Sequence, residues 1–308
     1  MKNRKYFTVF TPTYNRAYCL PRVYESLCEQ SFTDFEWLVI DDGSTDNTSS
    51  LIDKYKKESS FSIIYEKVSN RGKHKVKNIA VDLASGMFFI TLDSDDWFEP
   101  NTLERMKFHW ENIPQKDRDS FSGVAGLTQF SGNNLTGKTG EINGIKNPQD
   151  IIDTDMISIR TKYKVRGEKC GVHLTEVMKK FKSPEFEDEK FCPEAIIWRR
   201  IAKSGLKVRY VNEIYRNAEI QEGGLSDPKK MLSRLVNNSK GLTIRYNEEM
   251  VIMDSIFDKL KASINYVRCS LHSKYSINKI YKNSVNKFLT SISIPFGVLF
   301  YLKDRINS

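Results

Sequence analysis

The chain predicts an α/β fold, a mostly parallel sheet flanked by helices with a helical C-terminal extension, on three observations. Strand-like and helix-like segments alternate through the first hundred residues, polar segments fall at the ends of those strands, and the last quarter turns basic and helical. Tyr6–Thr11 is rich in β-favouring residues and stops at Pro12. Leu20, Val23, Tyr24 and Leu27 have helical spacing over Leu20–Cys28, and Phe35–Ile40 is a second strand closed by Asp41-Asp42-Gly43. Asp46 or Thr48 caps a helix running through Lys57. Phe61–Tyr65 is a third strand, Lys73–Ala84 a helix closed by Gly86, and Met87–Leu92 a fourth strand. This alternation implies right-handed crossovers and a parallel sheet, in which ligands bind beyond the carboxyl ends of the strands.

Further along, Phe121–Phe130 reads as a strand, Thr175–Lys180 and Pro193–Lys203 as helices, and Val208–Tyr215 as a strand. Gln221–Ser226 reads as a flexible loop, and beyond Asp227-Pro228 the pattern is helical to about Asn286.

Composition is that of an ordinary globular protein of 308 residues, with 39% hydrophobic and 28% charged residues. Five scattered cysteines and four histidines show no zinc-type spacing, which points to reduced thiols and a cytoplasmic protein. Tyr6–Phe10 is too short for the apolar core of a secretory leader, and no run is long enough to span a membrane. The net charge of +9 lies wholly in the last quarter, where 14 Lys/Arg face 5 Asp/Glu from Lys229 onward. Such asymmetry points to an anionic partner; with no nucleic-acid motif, a membrane surface is the better fit.

The sharpest local feature is Asp93-Ser94-Asp95-Asp96, three carboxylates within four positions at the end of an apolar strand. Either the segment is a solvated acidic turn, or a hard divalent cation with a bound diphosphate sits among the carboxylates. The connectivity gathers it on one rim with Thr11-Pro12-Thr13-Tyr14-Asn15-Arg16 and Asp41-Asp42-Gly43-Ser44, which favours a site. Lys73 and Lys77, at i,i+4 spacing after Gly72, are placed to meet phosphate or else to line a solvated face.

These segments, with Val39–Thr48, Gly72-Lys73-His74, Lys77-Asn78 and Ala84-Ser85-Gly86, resemble the family 2 glycosyltransferases of the GT-A (Rossmann-like) fold. The bacterial capsule and surface-polysaccharide members are the most similar, and motif order and spacing agree over residues 6–98. The resemblance implies inverting transfer of a sugar from a nucleoside diphosphate, a UDP-sugar, to a hydroxyl of a saccharide or lipid-linked saccharide, aided by Mn²⁺ or Mg²⁺. It implies that Asp93 contacts ribose or metal, that Asp95 holds the metal and that Asp42 contacts the uracil, where the residues alone also allow a helix cap or an Asx-turn at Asp41 and Asp42. Asp96 leaves the register of the metal pair open; Asp93 and Asp95 are preferred. Thr11 and Tyr14 would line the nucleotide pocket, with plain packing the other reading for Tyr14. The family usually has Arg at the position of Lys77.

The resemblance also implies an acidic general base in the second half, at or near a helix start. Glu187, Asp188, Glu189 and Glu194 are candidates. Glu194 is preferred because it follows Pro193 at the first turn of a helix, and Asp188 is second. Trp198 is either an apolar floor for a sugar ring or core. Gln221–Ser226 either resembles the loop that closes over the pyrophosphate in relatives, with Gly223-Gly224 as its hinge, or is an ordinary surface loop.

The expected organisation is a GT-A domain over residues 1–226 and a basic helical region over 227–308. Asn286–Arg305 is apolar in the middle, broken by Pro295 and Gly297, and flanked by Lys287, Lys303 and Arg305. It is either an interfacial segment on an anionic inner membrane face or a C-terminal helix docked on the protein. Two rivals stand against the transferase: a catalytically silent sugar-nucleotide-binding or assembly subunit, and a sugar nucleotidyltransferase. The latter usually opens with a Gly-rich loop after the first strand, and Pro12–Arg16 has no Gly.

Overall fold

The computed structural model describes residues 4–131, 150–219, 231–253 and 255–307. The first elements are β1 (Phe7–Thr13), α1 (Leu20–Cys28), β2 (Phe35–Asp41), α2 (Thr48–Glu58), β3 (Ser62–Lys67), α3 (Lys73–Leu83) and β4 (Phe88–Thr91). Then follow β5 (Trp97–Phe98), α4 (Thr102–Glu111), a 3-10 turn (Gln115–Ser120), β6 (Phe121–Ser131), β7 (Ile152–Thr154), α5 (Ser158–Thr161), β8 (Lys169–Leu174), α6 (Thr175–Lys180), α7 (Ala195–Lys203) and β9 (Lys207–Glu219). The chain closes with α8 (Met231–Asn237), α9 (Ser239–Ile252), α10 (Ile256–His272), α11 (Ile277–Asn283) and α12 (Lys287–Asn307).

Among the described residues the strands form one sheet in the order β3-β2-β1-β4-β8-β6-β9-β5, with β7 on β9. β1 pairs in parallel with β2 and β4, and β2 with β3, as the alternating pattern requires. β8 pairs antiparallel with both β4 and β6, so the second half of the sheet is mixed. The chain divides into two compact units, Met1–Lys182 with Arg199–Gln221, and Ser183–Trp198 with Glu222–Ser308. The expected boundary at residues 226 and 227, like the loop Gln221–Ser226, lies outside the described residues.

In the first unit every residue of β2 is buried, Glu36 included. Glu36 accepts hydrogen bonds from the Thr8 hydroxyl (2.6 Å), the Ser85 hydroxyl (2.6 Å) and the Ser85 N–H (2.8 Å). Thr8 in turn accepts from the Gly86 N–H at 2.9 Å. A Cβ on Gly86 would lie 2.4 Å from the Thr8 backbone nitrogen, so only glycine allows this approach. Ala84-Ser85-Gly86, one of the segments that carry the family resemblance, thus seats β4 beside β1 and satisfies a buried charge.

On β9, Glu213 meets two side chains one turn apart on α4: Arg105 Nε donates to it at 2.9 Å, and His109 Nε2 lies 2.8 Å away. Burial works to raise the Glu213 carboxyl, but His109 and Arg105 outweigh it and hold it at about 2.

The second unit packs Met250, Ala262, Tyr266, Val267 and Ile280 into its own core. Tyr266 donates to the Ile280 carbonyl at 2.8 Å, and Ser255 and Ser276 cap α10 and α11 by accepting from Phe257 and Lys279 N–H groups. The segment Ser183–Trp198 is tied to the start of α9. Glu189 accepts from the N–H groups of Lys240 (2.6 Å) and Gly241 (3.1 Å), and Asn238 accepts from those of Lys190 (3.0 Å) and Phe191 (2.8 Å). Glu189 therefore caps a helix from a distant part of the chain.

Two outcomes follow for stability. Ser85→Ala is expected to cost about 1–3 kcal/mol in urea unfolding, because Glu36 loses the Ser85 hydroxyl, one of its three donors, while staying buried; an unchanged midpoint would show that this hydrogen bond contributes nothing. Glu213→Gln is expected to cost about 1–3 kcal/mol near neutral pH. A depressed carboxyl stabilises the fold above its ordinary value of 4.5 and loses that contribution as the pH falls toward about 2, so the two melting curves should converge across that window. Curves that stay equally separated down to pH 2 would contradict the assignment.

Candidate active site

The rim at the carboxyl ends of β1, β2 and β4 is built by three loops that hold one another. After β1, Asn15 adopts a left-handed backbone (φ 51°), donates its N–H to Ser44 Oγ (2.8 Å) and accepts at Oδ1 from the Thr45 N–H (2.7 Å). Asp46 accepts from the Ala17 N–H at 3.0 Å and from the Thr48 hydroxyl at 2.6 Å. The β1 and β2 loops are thus one rigid piece. After β2, Asp41 accepts from the Ser44 N–H and the Tyr65 hydroxyl, both at 2.7 Å. Asp42 is buried and accepts from the N–H groups of Arg71 (2.6 Å) and Gly72 (2.8 Å), which fixes the entry to α3.

The carboxylates after β4 are each met by a cation from a different element. Lys73, the first residue of α3, reaches Asp93 Oδ2 at 2.7 Å. Arg16, from the β1 loop, reaches Asp95 Oδ2 at 3.1 Å. Arg216, from β9, reaches Asp96 Oδ2 at 3.2 Å and also pairs with Glu168. The short β5 makes the last pair: it follows Asp96 directly and runs antiparallel to β9 with Phe98 opposite Arg216. Arg22 adds a fourth cation, stacked over the Trp97 ring at 4.0 Å, donating to the Asp95 carbonyl at 2.5 Å and paired with Glu219 at 2.8 Å.

These partners set the ionisation of the cluster. Burial would raise the Asp93 carboxyl, but Lys73, followed by Arg216, brings it below its ordinary value. Burial pushes Asp96 up, Arg216 pulls against it, and Asp93 and Asp95 add to the rise. Asp93 Oδ1 is buried and has no hydrogen-bond partner. Asp96 and Arg216 are both almost fully buried, whereas Asp93 and Asp95 are partly open.

Of the expected site residues, the structure brings Asp42, Lys73, Asp93 and Asp95 together on this rim. Thr11 lies beneath it in β1, fully buried, with its hydroxyl accepting from Trp37 Nε1–H at 2.9 Å. Tyr14 is 47% exposed. Lys77 is buried on α3 one turn beyond Lys73, and its charge helps to lower Asp93. His173 on β8 is buried and held neutral, at about 3, by burial and by Lys77.

Glu194 and Asp188 belong to the second unit. Glu194 is half-buried, directly precedes α7 and gives its carbonyl to the Ile197 N–H at 2.9 Å. Asp188 is largely exposed and paired with Lys240 at 2.5 Å. Glu189 uses its carboxylate as the α9 cap, which removes it from the base candidates. Trp198 is half-buried on α7.

Sequence reasoning missed Arg216, Arg22 and the role of Arg16. Arg216 lies in a strand whose register against β5 could not be read from a two-residue element. Arg16 carried a signal, since an acidic triplet on a shared rim calls for nearby cations.

Comparison with known proteins agrees with this architecture. Residues 8–126 match the model of Glycosyl transferase family 2. Poly(ribitol-phosphate) beta-N-acetylglucosaminyltransferase TarS of Staphylococcus aureus is 35% identical over 100 residues, which is 32% of this chain and 18% of that protein. This chain thus matches less than a fifth of that relative's length. The GalNAc(5)-diNAcBac-PP-undecaprenol beta-1,3-glucosyltransferase of Campylobacter jejuni is 24% identical over 98% of this chain and 94% of its own. The crystal structure of S. aureus TarS 1–349 in complex with UDP-GlcNAc superposes with a TM-score of 0.60 at 18% identity, covering 98% of this chain and 92% of that one. With its four ordered motifs on the rim of a mostly parallel first half-sheet, the chain matches the Glycosyl transferase family 2 model over residues 8–126 and shares the fold of TarS 1–349.

Proposed function

We propose that this protein is an inverting, metal-dependent glycosyltransferase that moves a sugar from a UDP-sugar to a hydroxyl of a saccharide or lipid-linked saccharide in surface-polysaccharide assembly. The observation that carries the reading is the paired rim, Lys73 with Asp93 and Arg16 with Asp95, set at the strand ends where a diphosphate would bind. The relatives' names supply the rest of the support. TarS is solved with UDP-GlcNAc, and the Campylobacter protein is named for an undecaprenol-linked acceptor. Both are named as beta-transferases, and a β product from an α-linked UDP-sugar requires inversion.

Mn²⁺ or Mg²⁺ fits the residues present. Hard cations of this kind take one or two carboxylates and complete their shell with substrate phosphate and water. Asp93 Oδ1 is a buried oxygen without a donor, and Asp95 is open at the rim. Among the described residues no three His, Cys, Asp or Glu side chains are grouped so that they could hold a metal ion by themselves. Asp93 and Asp95 would hold it, since Asp96 is committed to Arg216. Once bound, the cation supplies Lewis-acid stabilisation of the diphosphate leaving group.

The chain's own groups do the rest of the work. Lys73 and Arg16 exchange their carboxylates for phosphate oxygens as the donor enters, so charge is traded between partners and not stripped of them. Asp42, held by the Arg71 and Gly72 amides, offers remaining lone pairs to the uracil N–H. Glu194 takes the proton from the acceptor hydroxyl as that oxygen attacks the anomeric carbon, with Asp188 the second choice because Lys240 already neutralises it.

UDP release across a panel of UDP-sugars, with and without EDTA, tests the reading. EDTA should abolish turnover and Mn²⁺ or Mg²⁺ restore it, and Asp93→Asn or Asp95→Asn should lower kcat about a hundredfold or more. Turnover that survives EDTA would remove the metal from the site. Asp96→Asn should instead lower thermal stability, by about 1–3 kcal/mol, because the buried Arg216 loses one of its two carboxylate ion pairs and keeps that with Glu168.

Glu194→Gln is expected to lower kcat by about 10²- to 10⁴-fold with little change in donor KM; a wild-type rate would end its assignment as base. A wild-type protein that binds UDP with Mn²⁺ yet turns over no donor would instead favour the silent binding subunit.

A further inference from the structure

Helix α12 is built inside out. Its buried positions are Leu289, Thr290, Ser293, Gly297 and Asp304, mostly small or polar. A Cβ on Gly297 would lie 2.5 Å from the Val267 side chain, so α12 lies hard against α10 along this face. Asp304 fastens its end, accepting from Arg268 Nε at 2.6 Å and standing 2.9 Å from His272 Nε2. The large apolar side chains face the other way. Phe288 is 75% exposed, Leu299 63% and Ile306 84%, and Ile292, Phe296 and Leu302 are exposed with them. At 100° per residue these six lie on one arc of the helix, opposite Gly297. Ordinary surface helices of soluble proteins present the reverse pattern.

The charges on the helix select the occupant of this face. Its one acid, Asp304, is turned inward and engaged, while Lys287, Lys303 and Arg305 are all exposed at its two ends. The outward side of α12 is thus apolar along its length and cationic at both tips. That matches a bilayer surface with anionic headgroups, where the apolar arc enters the acyl boundary and the long cations stay at headgroup level. Twenty-one residues rise about 31 Å. Among the described residues no helix is long and apolar enough to cross a membrane, so α12 would lie in the surface.

We infer that the outward face of α12 is a docking surface for an anionic lipid bilayer, independent of whether the chain transfers sugar. Co-sedimentation of the full chain with vesicles tests it, using phosphatidylcholine alone and phosphatidylcholine with a quarter of phosphatidylglycerol. The wild type should partition into the anionic vesicles at least about tenfold more strongly than into the neutral ones. The triple variant Ile292→Ser, Phe296→Ser, Leu299→Ser should lose binding about tenfold or more with an unchanged melting temperature, since all three side chains are exposed. As a second, independent variant, Lys287→Glu, Lys303→Glu, Arg305→Glu should lose the preference for anionic lipid. The inference is overturned if the wild type stays in the supernatant with anionic vesicles or if the serine variant sediments like the wild type. It is equally overturned if light scattering shows a wild-type oligomer that the serine variant turns into monomer, because a second copy would then cover the face.

Discussion

Charge repulsion among Asp93, Asp95 and Asp96, held within four residues at the end of β4, dictates much of the arrangement around them. No single neighbour can neutralise all three, because successive side chains leave the turn in different directions. The fold answers with three cations from three places: the start of α3, the loop after β1, and β9. Each delivery needs its own scaffold. Asp42 pins the entry to α3 through the Arg71 and Gly72 amides, Asn15 and Ser44 lock the β1 loop, and β5 brings β9 alongside Asp96. The innermost pair is sealed in the protein and the outer two are open at the rim, so the same cluster provides both a structural anchor and two exchangeable partners.

The first half of the fold was legible because it is written in local signals. Leu20–Cys28 and Thr175–Lys180 appear with the boundaries the periodicity implies, and β1 to β4 fall within a residue or two of the expected strands. What escaped is short or non-local. β5 has two residues and β7 three, below the length at which alternation is visible. The helix Thr102–Glu111 and the strand Lys169–Leu174 were not anticipated. In the sequence, Pro295 and Gly297 look like interruptions that keep Asn286–Arg305 from spanning a membrane. In the fold Pro295 is accommodated within the helix and Gly297 is needed where α10 comes close.

The site shows the same division. The order of polar segments at strand ends was readable, and with it the meeting of Asp42, Lys73, Asp93 and Asp95. Which oxygen finds which cation was not, since Arg216 is separated from Asp96 by over a hundred residues. Glu189 illustrates the converse. As a letter near a helix start it resembles any acidic catalytic candidate, and only the three-dimensional contact with the Lys240 and Gly241 amides shows it to be a cap.

Glu36 carries an implication for how the molecule assembles. One carboxylate on β2 is hydrogen-bonded to β1 through Thr8 and to the approach of β4 through Ser85, partners 28 and 49 residues away in the chain. In the unfolded chain it is hydrated and charged, and it loses water only when both partners arrive. An encounter of β2 with either neighbour alone leaves a half-dressed ion on an apolar strand, a state disfavoured by burial without satisfaction. The carboxylate thereby couples the three strands, since only their joint arrangement satisfies it in the buried sheet.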